Sequence, residues 1–472
     1  MRETLRAKPQ IERLAQACPA FALRVVRALE DAGHEAWIVG GWVRDALLGI
    51  PSHDIDVTTS ALWQESACVL RAAGLAVEET GTAHGTVTAY VDGEPIEVTT
   101  YRVDGDYSDR RHPDEVRFVR DVREDLGRRD LTFNAMAWHP ERGLLDPFHG
   151  CADLEAGIVR TVGDPSVRFY EDALRMLRTV RFSVRLGYDV EKRTQDALDA
   201  QAGDLSYVAP ERMGRELDAI VREGHAGRAL MEQPAVMCAA IPELAAMRGF
   251  DQRSVFHVYD VYEHTAHVCC ATEAFRAGLA PAELRWAALL HDVAKPATFS
   301  QDVEGHGHFF DHPRQGSLMA RDIMHRLGIP ASVTDAAVVL IRYHDEPLPA
   351  TELAIRKLLS RLAKACPGRE VPLAFCLFDL MRSDAVSKRP SAATWAHELD
   401  KYTALLRAEA ARGPVFQTRH LAVNGGDVMR ACGVRPGPAV GMQLEQLLRA
   451  VMRGEVANER SELLRWLAGP IR

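Results

Sequence analysis

The chain has 472 residues, 47% of them hydrophobic and 26% charged, with a formal net charge of −9 at neutral pH. The length admits several domains, the composition is that of an ordinary globular protein, and the acidic balance counts against a uniformly basic nucleic-acid binder. No uninterrupted apolar run is long enough to span a bilayer and the first residues lack the apolar core of a signal peptide, so no membrane association and a cytoplasmic location are expected. Nine cysteines, an odd number, lie scattered without a Cys-x-x-Cys pair. Reduced thiols are expected, with neither a disulfide frame nor a zinc site.

Residues 10–32 predict a leading amphipathic helix, with Ile11, Leu14, Phe21, Leu23, Val26 and Leu29 apolar. Trp37, Ile38 and Val39 then end a short β-branched and aromatic run, and Gly40 and Gly41 let the backbone turn with no Cβ in the way of a ligand. A helix is predicted from Trp42 to Leu48. The free N–H groups of its first turn lie beside the glycines, where anions bind. Gly49, Ile50 and Pro51 close it, and Asp54-Ile55-Asp56-Val57 reads as a strand, whose alternation projects Asp54 and Asp56 together. Taken singly, Gly-Gly is a turn and Asp-x-Asp a solvated strand end. With Arg44 one turn into the helix to meet phosphate, they form a combined pattern: a phosphate cradle beside a carboxylate pair that suits Mg²⁺. Two such ions can activate an attacking hydroxyl and stabilise a leaving pyrophosphate.

The order Gly-Gly-x-x-Arg-Asp, Leu-Leu-Gly, Asp-x-Asp resembles the polymerase-β-like nucleotidyltransferase signature of the class II family that holds the tRNA CCA-adding enzymes and bacterial poly(A) polymerases. Further along, a helix from Leu62 to Ala73 leads to strands near Leu75–Glu78, Thr86–Val91 and Pro95–Arg102, an antiparallel sheet. Glu97 either lies beside the Asp pair as a third catalytic carboxylate or is an exposed strand residue. Gly81 to Val87 resembles a segment of the CCA-adding enzymes, where the poly(A) polymerases carry an Arg- and Phe-rich sequence. The polar stretch from Val103 to Glu115, with Tyr107, Asp109, Arg111 and Pro113, reads as a mobile loop and resembles the family's flexible loop, whose presence favours adenosine addition.

Arg128-Arg129-Asp130-Leu131-Thr132-Phe133-Asn134-Ala135 reads as an Arg pair entering a short helix, with Asp130 and Thr132 as capping candidates. Its similarity to a family motif implies that Arg129 contacts the nucleotide; Leu131 stands where the family has Phe. Asp146-Pro147 followed by Gly150 matches a motif that implies a structural turn. From Phe169 to Leu186 one helix is predicted, carrying Asp172, Arg175, Arg178 and Arg181 at a spacing of three, which makes a charged ridge. Such a ridge can be a solvated face with internal ion pairs. It can also read bases, because C and A present an amine donor beside an accepting ring nitrogen, and an Asp that accepts with an Arg that donates fits that edge and opposes U and G. Asp172 and Arg175 are the candidates, and Glu171-Asp172-x-x-Arg175 resembles the family motif whose implied role is this protein template. Arg178 and Arg181 either join it or reach triphosphate. Glu211-Arg212-Met213 with Glu216-Leu217 matches a further motif in a helical neck, and from Gly187 onward no strand is expected.

In the middle region, His264, His291, Asp292, His312, His344 and Asp384 fall in helical segments and resemble the HD superfamily of metal-dependent phosphohydrolases, most specifically through Leu289 to Pro296. The resemblance implies a second divalent metal site; the alternative is an HD fold that grips RNA without turnover. Residues from Leu421 to Asn458, with their Gly and Pro punctuation, resemble the family's tail, implied to engage tRNA.

The expectation is therefore an α+β protein: a nucleotidyltransferase head with a small mixed or antiparallel sheet (residues 1–160), a helical neck with the nucleotide-selecting helix (161–245), an HD-type helical domain (246–390) and a helical tRNA-binding tail (391–472). Its implied activity is addition of CMP and AMP, from CTP and ATP with Mg²⁺, to the 3′ end of tRNA without a nucleic-acid template. The alternatives are addition of A only, a poly(A) polymerase, or an HD phosphohydrolase with a nucleotide-sensing head. The expected catalytic residues are Asp54, Asp56 and Glu97; the expected nucleotide-binding residues are Gly40, Gly41, Arg44, Arg129, Asp172, Arg175, Arg178 and Arg181. Nothing in the sequence specifies an oligomeric state.

Overall fold

Pro19 interrupts the leading amphipathic segment, because it has no N–H to continue a helix. Residues 12–17 are helical and helix α1 follows as Ala20–Asp31. The computed structural model describes residues 12–52, 54–105, 116–254, 256–276, 278 and 280–469. The loop residues Tyr107, Asp109, Arg111 and Pro113 lie outside them. Two units divide the chain: Met1–Leu217 with Ala235–Ala240, and Asp218–Pro234 with Ile241–Arg472.

The first unit is built on a seven-stranded sheet. In chain order its strands are β1 (Ala36–Val39), β2 (Asp56–Thr59), β3 (Ala76–Glu78), β4 (Thr86–Val91), β5 (Glu94–Thr100), then β6 (Ala137–His139) and β7 (Gly143–Leu145), arranged β3-β4-β5-β2-β1-β6-β7. The pairing is antiparallel throughout except between β2 and β5, so the sheet is mixed rather than antiparallel. Alternation along the strands sends Ile38, Val57, Val87, Ala89, Ile96 and Val98 to one face, where they pack with Val25, Val26 and Leu29 of α1 and with Ala67 and Leu70 of α3 (Trp63–Ala72). Trp37 and Val39 point the other way, into a smaller cluster with Tyr101, Val122 and Leu126. Asp56 pairs with Val39 and so belongs to that second face.

Between β1 and β2 lies α2, Gly41–Leu48, closed by Gly49 in the left-handed conformation. The expected strand at Asp54 starts two residues later. Its ladder with β1 runs from Ala36 opposite Thr59 to Val39 opposite Asp56 and stops where β1 turns at Gly40, leaving Asp54 and Ile55 ahead of the strand.

The single helix expected from Phe169 to Leu186 is two: α6 (Pro165–Glu171) and α7 (Leu174–Leu186), separated by Asp172 in extended backbone. The Asp172 carboxylate accepts from the N–H of Leu174 at 3.1 Å, serving the first turn of α7 rather than lying on its ridge. The Arg pair also differs from expectation. Arg129 follows α4 (Val122–Gly127), and Thr132–Asn134 is one 3₁₀ turn. Asp130 accepts from Leu131 N–H, and the Thr132 hydroxyl donates to Asp153 at 2.7 Å instead of capping. The Asp146 turn is as expected, its carboxylate accepting from Gly150 N–H (2.7 Å) and Cys151 N–H (2.9 Å) at the start of α5 (Gly150–Ala156).

Strands do occur beyond Gly187. Asp189–Val190 pairs in parallel with Ile158–Val159, and Ser300–Gln301 pairs with Gly307–His308. Two-residue strands have no alternation to detect. The second unit is otherwise helical, and helices Gly425–Cys432, Pro438–Arg453 and Arg460–Ala468 close its end around Val428, Leu447, Leu448 and Leu463.

Candidate functional site

Gly40 shows why a glycine stands at this turn. Its φ is 74°, and a Cβ there would sit 2.9 Å from Nη1 of Arg129 and 3.7 Å from Oδ2 of Asp56. A side chain would strain the backbone and displace the guanidinium. The turn, the start of α2, and Asp54 and Asp56 open into one cleft of about 660 Å³. Eight arginines and five aspartates line it, a positive balance inside a chain whose net charge is −9.

Asp54 is exposed and Asp56 partly buried. Burial pushes the Asp56 carboxyl up to about 6; Arg129 works against the rise, and the charges of Asp54 and Glu97 add to it. Glu97 stands opposite Asp56 in the parallel β2–β5 register and is exposed. Crowded like charges of this kind favour a bound cation.

Arg44 is buried, with only 4% of its surface exposed. Its Nε donates to Asp45 at 2.8 Å, its Nη1 donates to Asn134 at 2.6 Å, and its guanidinium lies 4.6 Å from the centre of the Phe182 ring. Arg181 lies 4.8 Å from the same ring. With Arg178 at 5.9 Å, one aromatic side chain on α7 therefore packs against three guanidiniums of the cleft.

The remaining predicted residues converge on the same space. Arg175 donates to Glu171 and, through Nη2, to the carbonyl of Arg128 at 3.1 Å. Arg178 donates to Asp130 at 2.6 Å, and Arg181 pairs with Glu216 at 2.9 Å. Although burial opposes its charge, Asp130 is held well below the usual carboxylate range by Arg178, with Asn134 and Leu131 N–H assisting. Asp172 uses its second oxygen to accept from Arg212 at 2.9 Å. The ridge thus carries ion pairs and lines a cleft at once. Arg212 and Glu216, four apart on the helix Pro210–Arg222, are the site residues that sequence reasoning left unassigned; their i, i+4 spacing within the neck motif was the available signal. Asn134 and Phe182 were likewise quoted within motifs without a role, and Asp130 was read only as a capping candidate.

The second constellation also comes together. His264 is on the helix Val261–Arg276 and Asp384 on Glu370–Val386, while His312 opens His312–Arg326. His291, Asp292 and His344 lie just past helix ends rather than within helices. All six are buried. Nδ1 of His291, His312 and His344 contacts the carbonyls of Ala288 (2.9 Å), Phe309 (2.9 Å) and Ile341 (2.8 Å). A carbonyl only accepts, so these Nδ1 atoms carry hydrogen, and Nε2 is left to face Asp292. Although burial opposes its charge, Asp292 is held well below the usual range by His291 and Lys295. Oδ1 of Asp292 and Nε2 of His291 lack a hydrogen-bond partner among the described residues, while Oδ2 is paired with Lys295 at 2.7 Å. Imidazoles oriented through Nδ1, with buried donor atoms left orphaned, fit a divalent metal.

Comparison with known proteins agrees along the chain. The family model for the poly A polymerase head domain matches residues 36–160, that for the HD domain residues 257–385, and that for domain 2 of tRNA nucleotidyltransferase residues 389–467. The CCA-adding enzyme of Geobacillus thermodenitrificans is 32% identical over 448 residues, 94% of this chain and 96% of the relative. That of Leuconostoc mesenteroides is 28% identical over 443 residues, 93% of each. Among solved structures, the Bacillus stearothermophilus CCA-adding enzyme in complex with CTP matches with a TM-score of 0.69 at 29% identity, covering 95% of this chain and 96% of that one. No helix among the described residues is long and apolar enough to cross a membrane.

Proposed function

Because the chain belongs to the CCA-adding enzyme family, we propose that its arginine-lined cleft is where CMP and AMP are joined to the 3′ end of tRNA. The enzyme is a nucleotidyltransferase that builds or repairs the CCA terminus from CTP and ATP without a nucleic-acid template, releasing pyrophosphate. One observation carries the assignment to this cleft: a glycine turn at a helix start, a crowded carboxylate pair and the arginines of α7 all face the same space.

In this reading Asp54 and Asp56 hold Mg²⁺, which when bound lowers the pKa of the tRNA 3′-hydroxyl and offsets charge on the leaving pyrophosphate. Glu97, in register with Asp56, is the third carboxylate of that face. The N–H groups at Gly41 and the start of α2 receive triphosphate oxygens, with Arg44 and Arg129 as their counter-charges. Asp172 accepts the exocyclic amine of C or A and Arg175 donates to the adjacent ring nitrogen. Arg178 and Arg181, braced by Asp130 and Glu216, hold the nucleotide against that pair. A cytoplasmic location and tRNA contacts by the C-terminal helices accompany this reading.

The test offers purified protein and Mg²⁺ three tRNAs, ending before CCA, after one C and after both, each with labelled CTP or ATP. Incorporation into all three, stopping after one A, is expected. Addition of A to the CC-ended tRNA alone would identify a dedicated A-adding enzyme.

A second reading, supported by the orphaned atoms around Asp292, gives the HD cluster a divalent metal and hydrolysis of phosphate esters. A metal assay that finds no ion with wild type, compared with Asp292→Ala, would remove it.

A further inference from the structure

Asp125, on α4, is a fully buried carboxylate that no step proposed for the cleft uses. Burial opposes its charge, yet Arg128 and Arg129 hold it below the usual carboxylate range. An ionised carboxylate out of water is costly unless its partners offset the loss of hydration, so the partners matter.

Its two oxygens have different ones. Oδ1 accepts from Nε and Nη2 of Arg128 at 3.0 and 2.9 Å and from the backbone N–H of Arg102 at 3.3 Å. Oδ2 lies 3.5 Å from Nη2 of Arg129 and 3.4 Å from the hydroxyl of Thr58, two residues along β2 from Asp56. That hydroxyl has a single hydrogen and a nearer acceptor, the carbonyl of Thr99 at 3.1 Å. The second oxygen is therefore left to Arg129.

Arg129 has almost nothing else. Among the described residues its guanidinium donates no hydrogen bond, its Nε is buried without a partner, and Asp125 is the one carboxylate within ion-pair distance. Its Nη1 lies over the glycine turn, where a Cβ on Gly40 would be 2.9 Å from it and 3.7 Å from Oδ2 of Asp56. The guanidinium thus lines the cleft close enough to Asp56 for its charge to be felt there, but without pairing with it.

We propose that Asp125 is a positioning residue for Arg129: it holds the guanidinium against the glycine turn and out of an ion pair with Asp56. The donors of Arg129 stay available to triphosphate and the oxygens of Asp56 to Mg²⁺. The proposal rests on the reading of Asp56 as a Mg²⁺ ligand and of Arg129 as a counter-charge to triphosphate. Without the charge of Asp125, the carboxylate left beside Arg129 is Asp56. A guanidinium closed on it would occupy the atoms that both ligands need.

The test measures transfer by the full-length chain to tRNAs ending before CCA and after CC, with nucleotide and Mg²⁺ varied separately. Asp125→Asn keeps an acceptor oxygen for Arg128 and removes the charge that holds Arg129. It should raise the Mg²⁺ concentration for half-maximal transfer about tenfold, and KM for CTP and for ATP about tenfold alike, with kcat within about threefold of wild type. Arg129→Gln alone should raise both KM values without raising the Mg²⁺ requirement. The double variant is decisive. With no guanidinium to close on Asp56, its Mg²⁺ requirement should return to that of Arg129→Gln, whereas a merely structural Asp125 would leave the defect in place.

A Mg²⁺ requirement unchanged in Asp125→Asn, or a rise that persists in the double variant, overturns the proposal alone. Unchanged KM values in Arg129→Gln overturn the reading of Arg129 and the proposal with it. Where a thermal melt shows that Asp125→Asn does not fold, Asp125→Glu takes its place. It keeps the charge but carries it one methylene further, so both KM values should rise about threefold at an unchanged Mg²⁺ requirement. Unchanged KM values there overturn the proposal.

Discussion

The cleft of the first unit and the histidine cluster of the second both gather carboxylates at one point, but in opposite surroundings. In the cleft, Asp54 is exposed, Asp56 is crowded by Asp54 and Glu97, and a glycine turn leaves room for a large ligand. In the cluster, Asp292 is 1% exposed and held ionised by His291 and Lys295. The first arrangement is built for ligands that come and go with every turnover. In the second the donor atoms are oriented by backbone carbonyls and sealed from water, so an ion held there would exchange slowly.

The sharpest way to break the comparison is to remove a carboxylate from the cleft. Asp54→Ala or Asp56→Ala should lower nucleotide transfer on the order of 1,000-fold, the scale of losing a preorganised charge at the reacting centre. The same variants should keep tRNA binding within about threefold by filter binding, because phosphate contacts elsewhere carry it. Unchanged turnover would remove the metal assignment.

Stability separates the two sites by sign. In chelator, Asp292→Asn leaves Lys295 without its buried counter-ion and should cost about 3–5 kcal/mol. Asp56→Asn should instead stabilise the metal-free protein by roughly 1 kcal/mol at pH 7.5, after discounting for solvent. The sign follows from the raised carboxyl: folding favours its protonated form, so its contribution is present below pH 4 and is lost as pH rises through about 6. Urea melts of both variants at pH 5 and pH 7.5 check this, and a destabilised Asp56→Asn at the higher pH would contradict it.

The same group sets a pH dependence for metal. If Asp56 holds Mg²⁺ as proposed, only its ionised form binds, so the Mg²⁺ concentration giving half-maximal transfer should rise about tenfold per pH unit below pH 6 and level off above it. A flat titration between pH 5 and 6 would exclude Asp56 as a ligand.

The smallest expected effect belongs to Phe182. Loss of its ring in Phe182→Leu removes the surface on which Arg44 and Arg181 rest, and should raise KM for CTP and ATP about fivefold with kcat little changed. Phe182→Tyr, which keeps the ring, should recover most of it.

Much of the cleft was legible because its chemistry is written at short spacing. Gly40, Gly41, Arg44 and Asp56 fall within one turn, helix and strand, with Asp54 two residues ahead of that strand, and local geometry alone brings them together. The break at Asp172 was not legible, since the spacing of three from Asp172 through Arg175 to Arg181 continues unbroken through it. Only the backbone shows that Asp172 ends one helix and serves the next. The partners Arg212 and Glu216 stand some 40 residues from the groups they brace, beyond any periodic pattern. For the histidines, sequence named all six residues but not the placing of Asp292 among four imidazoles, which depends on how separate chain segments meet.

The charge distribution has a kinetic consequence. A chain of net charge −9 repels RNA over much of its approach, while a cleft with eight arginines against five aspartates attracts it at one place. Collisions that reach neither the cleft nor the proposed phosphate contacts of the C-terminal helices are therefore short-lived, and the enzyme spends little time on RNA that cannot present a 3′ end to the cleft. Salt screens the repulsion along with the attraction, so the rate of productive encounter should vary less with ionic strength than it does for an RNA-binding protein that is basic all over.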